Sequence, residues 1–492
     1  MGMSYKVNKE NMSITANGAN THMTTNDECL DFFALGGAMR ENNEKEILTL
    51  FNAAFESNKL LAMKLLFYMR DIRGGQGERR IFRIILRHLA NTNPDVVSKN
   101  LELIPEFGRW DDLYALEGTP LEREMFAFIK RQFYIDIKSN TPSLLAKWLK
   151  SENASSRETI RLARKTRKAL KLSSKQYRKA LSRLRRRIGI IERLISENKW
   201  SEIEYDKIPS NAGFKYSNAF ARHDYERYNE FLDRAKDIVY SESVNADVLY
   251  PYEIVRRAYK YIDTWSCHDE ITQVERDALE VYWKNLKDYF VNQPDDYSAI
   301  CVVDTSGSMG GTPMEVALSL GLYTAERCKG PFKDTFITFS ERPKIQQVVG
   351  EDVYEKLDNM SRADWSMKTN IKAVFNLLLN KAVKGGLTQE TLPQNIFIIS
   401  DMEFDYCTMH NDTNTLMEEI YDEWKAKGYE MPHLIFWNVN ASSRNIPILG
   451  KGKISYVSGF SPSIFEAVLS NKSGYELMME VLNNKRYDKI TV

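Results

Sequence analysis

The chain has 492 residues, 43% of them hydrophobic and 11% aromatic, which excludes a disordered or fibrous protein and exceeds what one hydrophobic core comfortably serves. Lys and Arg total 68 against 67 Asp and Glu, so the net charge of +1 points to neither a nucleic-acid nor a membrane partner, and only local clustering can do so. Five scattered cysteines without a C-x-x-C pair exclude a zinc ribbon and predict a reducing, intracellular setting, taken as cytoplasmic.

Residues 1–27 are polar, lack the apolar stretch of a signal peptide, and are expected to form a flexible N-terminal segment. No later run approaches the roughly 20 apolar residues that span a bilayer, so no membrane partner is expected. From 28 to about 150, apolar residues recur at helical spacing, as in Leu60, Met63 and Phe67 or Ile81, Ile84, Ile85 and Leu89. Turn signals at Gly74-Gly75-Gln76-Gly77, Asn93-Pro94 and Gly118-Thr119-Pro120 cut this region into short helices, which suits stacked helical pairs of the HEAT-like solenoid type.

Residues 147–200 hold 18 Lys or Arg against four Glu and no Asp, a local charge of +14. Ser155-x-x-Glu158 and Ser173-x-x-Gln176 read as capping boxes at two helix starts. In the second helix Tyr177, Leu181, Leu184, Ile188, Ile191 and Leu194 form one apolar stripe, leaving the other faces cationic. Such clustering is the footprint of a phosphate-backbone ligand. The candidate RNA contacts are Lys147, Lys150, Arg157, Arg161, Arg164, Lys165, Arg167, Lys168, Lys175, Arg178, Lys179, Arg183, Arg185, Arg186 and Arg187, with Lys215, Arg222 and His223 further on. The competing reading is a solvated helix face paired with acids elsewhere.

Residues 201–294 again read as helical, most clearly over Tyr216–Lys236 and Tyr252–Ile262. Past 295 short apolar strands alternate with helices: Ser298–Val303, Asp334–Phe339, Asn395–Ser400, His433–Val439 and Ile454–Val457. That grammar predicts an α/β, doubly wound, mostly parallel sheet over 295–492, after an all-α region over 28–294.

The polar turn Asp304-Thr305-Ser306-Gly307-Ser308 leaves the first of these strands at its carboxyl end, where such sheets bind ligands. Thr369 lies in a loop before a helix, and Asp401 follows the strand Asn395–Ser400. These oxygens can converge on one hard divalent cation. The alternative is a strand-to-helix turn in which Asp and Ser only cap the helix. The pattern resembles the metal-ion-dependent adhesion site of von Willebrand factor A domains. That resemblance implies Mg²⁺ held directly by Ser306, Ser308 and Thr369, with Asp304 and Asp401 acting mainly through water and a partner's carboxylate completing the shell. No G-x-S-x-G or P-loop pattern occurs, and no enzyme is expected.

Four runs carry a second resemblance: Arg70–Arg79 (RDIRGGQGER), Glu106–Leu113 (EFGRWDDL), Leu145–Ser156 and Lys215–Asp224 (KYSNAFARHD). They resemble an uncharacterised family of viruses, plants and fungi that joins a TROVE-like helical region to a von Willebrand A domain, and more distantly the Ro autoantigen group. The resemblance implies a helical ring or horseshoe that takes single-stranded or misfolded RNA. For Arg70, Arg73, Arg79, Arg109 and Trp110 a structural role, such as a buried ion pair beneath a tryptophan, is an equal expectation. The leading reading is a non-enzymatic RNA-binding protein; the alternative is a protein-interaction or virion-associated assembly component that uses the metal turn to hold a partner's acidic residue.

Overall fold

The computed structural model describes the chain except for residues 1–11, 18–19, 237–248, 263–269, 364–369, 405–415, 442–444, 447–452, 471 and 473. A helical N-terminal region is followed by a mixed-sheet C-terminal region. The helices of the first are α1 (Glu28–Leu35), α2 (Glu44–Ser57), α3 (Lys59–Arg70), α4 (Arg80–Thr92), α5 (Pro94–Lys99), α6 (Ile104–Phe107) and α7 (Glu122–Lys138). Then come α8 (Leu145–Trp148), α9 (Arg157–Ala169), α10 (Ser174–Ile188), α11 (Ile191–Ser196), α12 (Ser210–His223), α13 (Tyr225–Lys236), α14 (Pro251–Ile262) and α15 (Gln273–Lys284). Among the described residues no helix is long and apolar enough to cross a membrane.

Ahead of these helices, β1 (Met12–Ile14) and β2 (Asn20–His22) pair as an antiparallel hairpin inside the segment expected to be flexible. The hairpin has somewhere to dock, which its polar composition does not reveal. Thr15 Oγ1 donates to Phe404 O (2.6 Å), the Ala16 amide donates to Glu403 Oε2 (2.6 Å), and His22 and Ile446 form a backbone bridge.

The sheet contains β3 (Ala299–Val303), β4 (Thr335–Thr338), β5 (Ile345–Gln347), β6 (Asn395–Ser400), β7 (His433–Asn438) and β8 (Ile454–Ser458), in the order β5-β4-β3-β6-β7-β8. All neighbours are parallel except β5, which runs antiparallel at the edge and is too short and polar to stand out in the sequence. Helices α16 (Thr312–Arg327), α17 (Val353–Ser361), α18 (Ile371–Gly385), α19 (Leu416–Ala426), α20 (Ile464–Val468) and α21 (Gly474–Leu482) complete this half.

Strand alternation sends the two sheet faces into different cores. Ile300, Val302, Ile396, Ile398, Leu434 and Phe436 pack beneath α18 and α19. Cys301, Val303, Phe397, Ile399, Ile435 and Trp437 instead join one continuous core with the helical region. Both ends of that region reach the sheet half: α1 packs on β8, and α14 packs on α16 and α17. Where the ends meet, Tyr250 Oη donates to Gln76 O (3.1 Å).

Three expectations about helices need correction. The apolar stripe read as one helix from Tyr177 to Leu194 is divided at Gly189, which ends α10 in a left-handed conformation, so Ile191 and Leu194 lie on α11. Ser156, not Ser155, caps α9 by accepting from the Thr159 amide (3.3 Å). The helical stretch 216–236 breaks at Asp224, whose Oδ2 accepts from Tyr205 Oη (2.8 Å) and Arg227 Nη1 (2.7 Å), a task that fixes it outside the helix interior.

The runs at 70–79 and 106–113 form a clasp. Arg70 is 1% exposed and its guanidinium donates to the fully buried Asp112 (2.8 Å), which also accepts from Arg83 Nε (2.7 Å) and the Arg109 amide (2.8 Å). Gly108 must be glycine because a Cβ there would lie 2.4 Å from Asp112 Oδ2 and 2.8 Å from Arg70 Nε. Asp71 turns the other way and accepts from Arg486 Nη2 (2.8 Å) and Tyr487 Oη (3.2 Å), tying down the C-terminal residues. Arg73 donates to Glu106 O (3.2 Å), and Glu78 pairs with Arg40. We predict that Asp112→Ala, which strands a buried guanidinium, costs about 3–5 kcal/mol in urea unfolding; a loss below about 1 kcal/mol would show that Arg70 finds water instead.

Candidate functional site

Helix α10 starts with the expected capping box, Ser173 and Gln176 satisfying each other's backbone amides, and ends where Gly189 takes a left-handed conformation (φ 71°). Tyr177, Leu181 and Leu184 are buried, so the helix turns its Lys and Arg residues away from the core. One side of α10, together with α8, α11 and Lys215 of α12, borders a groove of about 1120 Å³. Arg109, Lys147, Lys175, Arg178, Lys179, Arg185, Arg193 and Lys215 line it, against only Glu152 and Glu192.

Trp148 also lines the groove and is half-buried. The Arg109 guanidinium lies over its ring at 4.0 Å and is itself held by both Asp111 oxygens (3.0 and 3.2 Å). Burial pushes the Asp111 carboxyl up, but Arg109 and Arg83 more than offset this and hold it below its ordinary value. Sequence reasoning did not single out Trp148. The available signal was its position between Lys147 and Lys150, and nothing local reveals that Arg109, distant in the chain, will stack on it. Trp110, by contrast, packs on Phe128 (5.2 Å) as a structural residue.

Apart from Lys147 and His223, the candidate cations divide into three groups. Arg157, Arg164, Lys168, Lys175, Arg178, Lys179, Arg183, Arg186, Lys215 and Arg222 are exposed and make no ion pair among the described residues. A second group is neutralised: Arg161 pairs with Glu117 and Glu158 (2.6 Å each), Lys165 with Glu117 and Glu122, Arg167 with Glu152 (2.8 Å), and Lys150 with Asp111 (3.8 Å). Hydrogen bonds from Arg161 and Lys165 hold the Glu117 carboxyl down at about 2, so this cluster stays paired at neutral pH. The third group is structural. Arg185 donates to Ala146 O (2.8 Å), Leu149 O (2.9 Å) and Ser151 Oγ (3.0 Å), and Arg187 donates to Ile137 O (3.2 Å) near the end of α7. Lys147 lies near the Trp148 ring (5.7 Å), and the exposed His223 stacks on Trp200 (4.5 Å).

The polar turn at the carboxyl edge of the sheet brings four of its five expected residues together. Thr369 lies outside the described residues. Asp304, fully buried, accepts from the Ser306 amide (2.9 Å) and from Ser400 Oγ (2.6 Å), while Ser306 Oγ and the exposed Ser308 Oγ lie 3.1 Å apart. Asp401 is fully buried on the adjacent strand's end, followed by Met402 in a left-handed conformation (φ 65°). Burial and then the Asp304 charge push the Asp401 carboxyl up to about 6, and its Oδ2 has no hydrogen-bond partner. The two carboxylates, one with an orphaned oxygen, and the two hydroxyls make an all-oxygen set that fits a hard divalent cation. Among the described residues, this turn included, no group of three or more His, Cys, Asp or Glu is placed to hold a metal ion. The loop carrying Asp401 is also where the N-terminal hairpin docks, through Glu403 and Phe404.

Charge alone would assign Arg185 to ligand binding, whereas its three bonds to α8 and the following turn make it a fold residue. We predict that Arg185→Ala lowers unfolding stability by about 2 kcal/mol or more, since each charged donor lost leaves a carbonyl or hydroxyl unpaired. An unchanged denaturation midpoint would return Arg185 to the ligand-binding set.

Residues 15–128 and 129–292 match the domain of unknown function DUF2828, and residues 298–490 match the domain of unknown function DUF7788. An uncharacterized protein of Acanthamoeba polyphaga mimivirus is 29% identical over 505 aligned residues, covering 94% of this chain and 85% of that protein. Among solved structures, the Deinococcus radiodurans RO (RSR) protein is similar over 94% of this chain and 100% of its own, with 13% identity and a TM-score of 0.46. With more than half of its length matched by one family, the chain belongs to the DUF2828 family, and its C-terminal region matches DUF7788.

Proposed function

We propose that the protein binds RNA, without catalysing a reaction, on the cationic surface of α9 and α10 and in the groove beside α8. The observation that carries this reading is the groove's lining, where Lys147, Lys175, Arg178, Lys179 and Lys215 make no ion pair among the described residues and a tryptophan lies among them, against two Glu. Exposed cations without acidic partners gain most from phosphate, because contact releases the polymer's counterions and costs no internal ion pair. The groove suits Lys/Arg contact with a backbone, and the aromatic ring adds an apolar surface that bases favour over protein carboxylates. The sheet half belongs to this reading as a von Willebrand A-like scaffold on which both ends of the helical region rest.

A bound Mg²⁺ is part of the same proposal. Asp304, Ser306, Ser308 and Asp401 would hold it, with Thr369 by resemblance, and it would supply a fixed positive charge that neutralises the two buried carboxylates. With the cation in place, its side towards the exposed Ser308 would be open to a partner's carboxylate, which keeps an assembly role for this edge as the second reading.

Filter binding of the full chain to RNA across a salt series tests the first reading: affinity falls steeply as salt rises, and Arg178→Glu with Lys179→Glu weakens it by at least about tenfold with a shallower salt dependence. Weak binding without a salt slope contradicts it. For the metal, Mg²⁺ raises the melting temperature of the wild-type chain by mass action, and Asp304→Ala abolishes that rise while leaving RNA affinity unchanged. A melting temperature indifferent to Mg²⁺, Mn²⁺ and Ca²⁺ contradicts the cation site.

A further inference from the structure

We infer that Trp148, backed by Arg109, is a stacking platform for one unpaired base, so that the groove selects single-stranded over double-helical RNA; this rests on the RNA-binding reading above. Trp148 follows three helical residues of a four-residue helix, α8, whose end is held by Arg185 through Ala146 O and Leu149 O on either side of it. The backbone beneath the ring is therefore fixed. The ring carries the Arg109 guanidinium at 4.0 Å and the Lys147 ammonium at 5.7 Å.

The guanidinium is fixed in turn. Asp111 takes two of its donors, Arg83 Nη2 reaches the same carboxylate at 2.9 Å, and the Arg109 amide is held by Asp112. A cation seated over the ring polarises it, and on this inference a base stacks on the side that Arg109 leaves. That ring belongs to the lining of the groove, alongside Lys147, Lys175 and Arg178, which suit the phosphates on either side of a stacked base.

A duplex cannot make this contact, because its bases are already stacked on their neighbours and present only edges in the grooves. Lys and Arg on α9 and α10, by contrast, serve phosphates of either form. The two contributions should therefore separate: charge sets affinity for all RNA, and Trp148 sets the preference between forms.

The experiment compares the full chain's affinity for a short adenine strand and for the corresponding adenine–uracil duplex, by fluorescence anisotropy at one salt concentration. Trp148→Ala weakens single-strand binding roughly 5- to 150-fold, the range of one base–aromatic stack, and leaves duplex affinity and the salt slope unchanged. Trp148→Phe retains most of the preference. A second arm leaves the protein intact and replaces single bases of the strand by abasic linkers, expecting one position at which the loss matches that of Trp148→Ala. If the wild type binds RNA with a salt slope but Trp148→Ala shifts both forms equally, or neither, or if no abasic position matters, the platform is overturned while the RNA-binding reading stands. If the wild type binds no RNA, that reading fails, and this inference with it.

Discussion

Arg70 and Asp71 are adjacent in sequence and serve opposite halves of the molecule. Arg70 reaches inward to Asp112, and Asp71 reaches outward to Arg486 and Tyr487 of the C-terminal tail. The first contact orders the turn that carries Arg109 and Asp111; the second helps hold the end of the sheet region against α3. Around them Gly75 O accepts from Ser463 Oγ (2.8 Å) and Gln76 O accepts from Tyr250 Oη. Four distant parts of the chain thus converge on one ten-residue run. A buried ion pair of this kind contributes little net stability compared with an apolar packing of the same shape, but it tolerates only one arrangement of its partners. Here that arrangement sets where the groove lies.

From this clasp the geometry runs outward in steps. Asp112 fixes the Arg109 backbone, Asp111 fixes its guanidinium, and the guanidinium fixes the ring of Trp148 at the groove wall. The cations of α10 then stand around a ring whose position is decided by residues buried far from the surface. Arg79 stands near the same cluster, where partial desolvation and the neighbouring Arg109 and Arg83 outweigh Asp111 and Asp112 and disfavour its charged form. Positive charge is in excess throughout this corner.

Hydrophobic period carried most of the fold. The five parallel strands were legible because a strand buried on both faces is a continuous apolar run, as in Asn395–Ser400, and the switch from helix to strand grammar near 295 is sharp. β5 was not legible, with three mostly polar residues at an edge. The N-terminal hairpin was hidden for a different reason: its stability lies in bonds to Glu403, Phe404 and Ile446, hundreds of positions away. Among the candidate site residues, charge was readable and its use was not. Arg161, Lys165 and Arg167 look like Arg164 and Lys168 in the sequence, yet acids at 117, 122, 152 and 158 neutralise only the first three. Arg185 and Arg186 are neighbours, and one is structural while the other is exposed.

The central claim is that RNA meets this protein at the α8–α10 groove rather than at the sheet's carboxyl edge. Ultraviolet crosslinking of the full chain to RNA, followed by mass spectrometry of the adducted peptides, reads that location directly. The account predicts adducts concentrated between Lys147 and Arg193, with Trp148 among the crosslinked residues. Adducts confined to the peptides around Asp304–Ser308 and Asp401–Phe404 would contradict it.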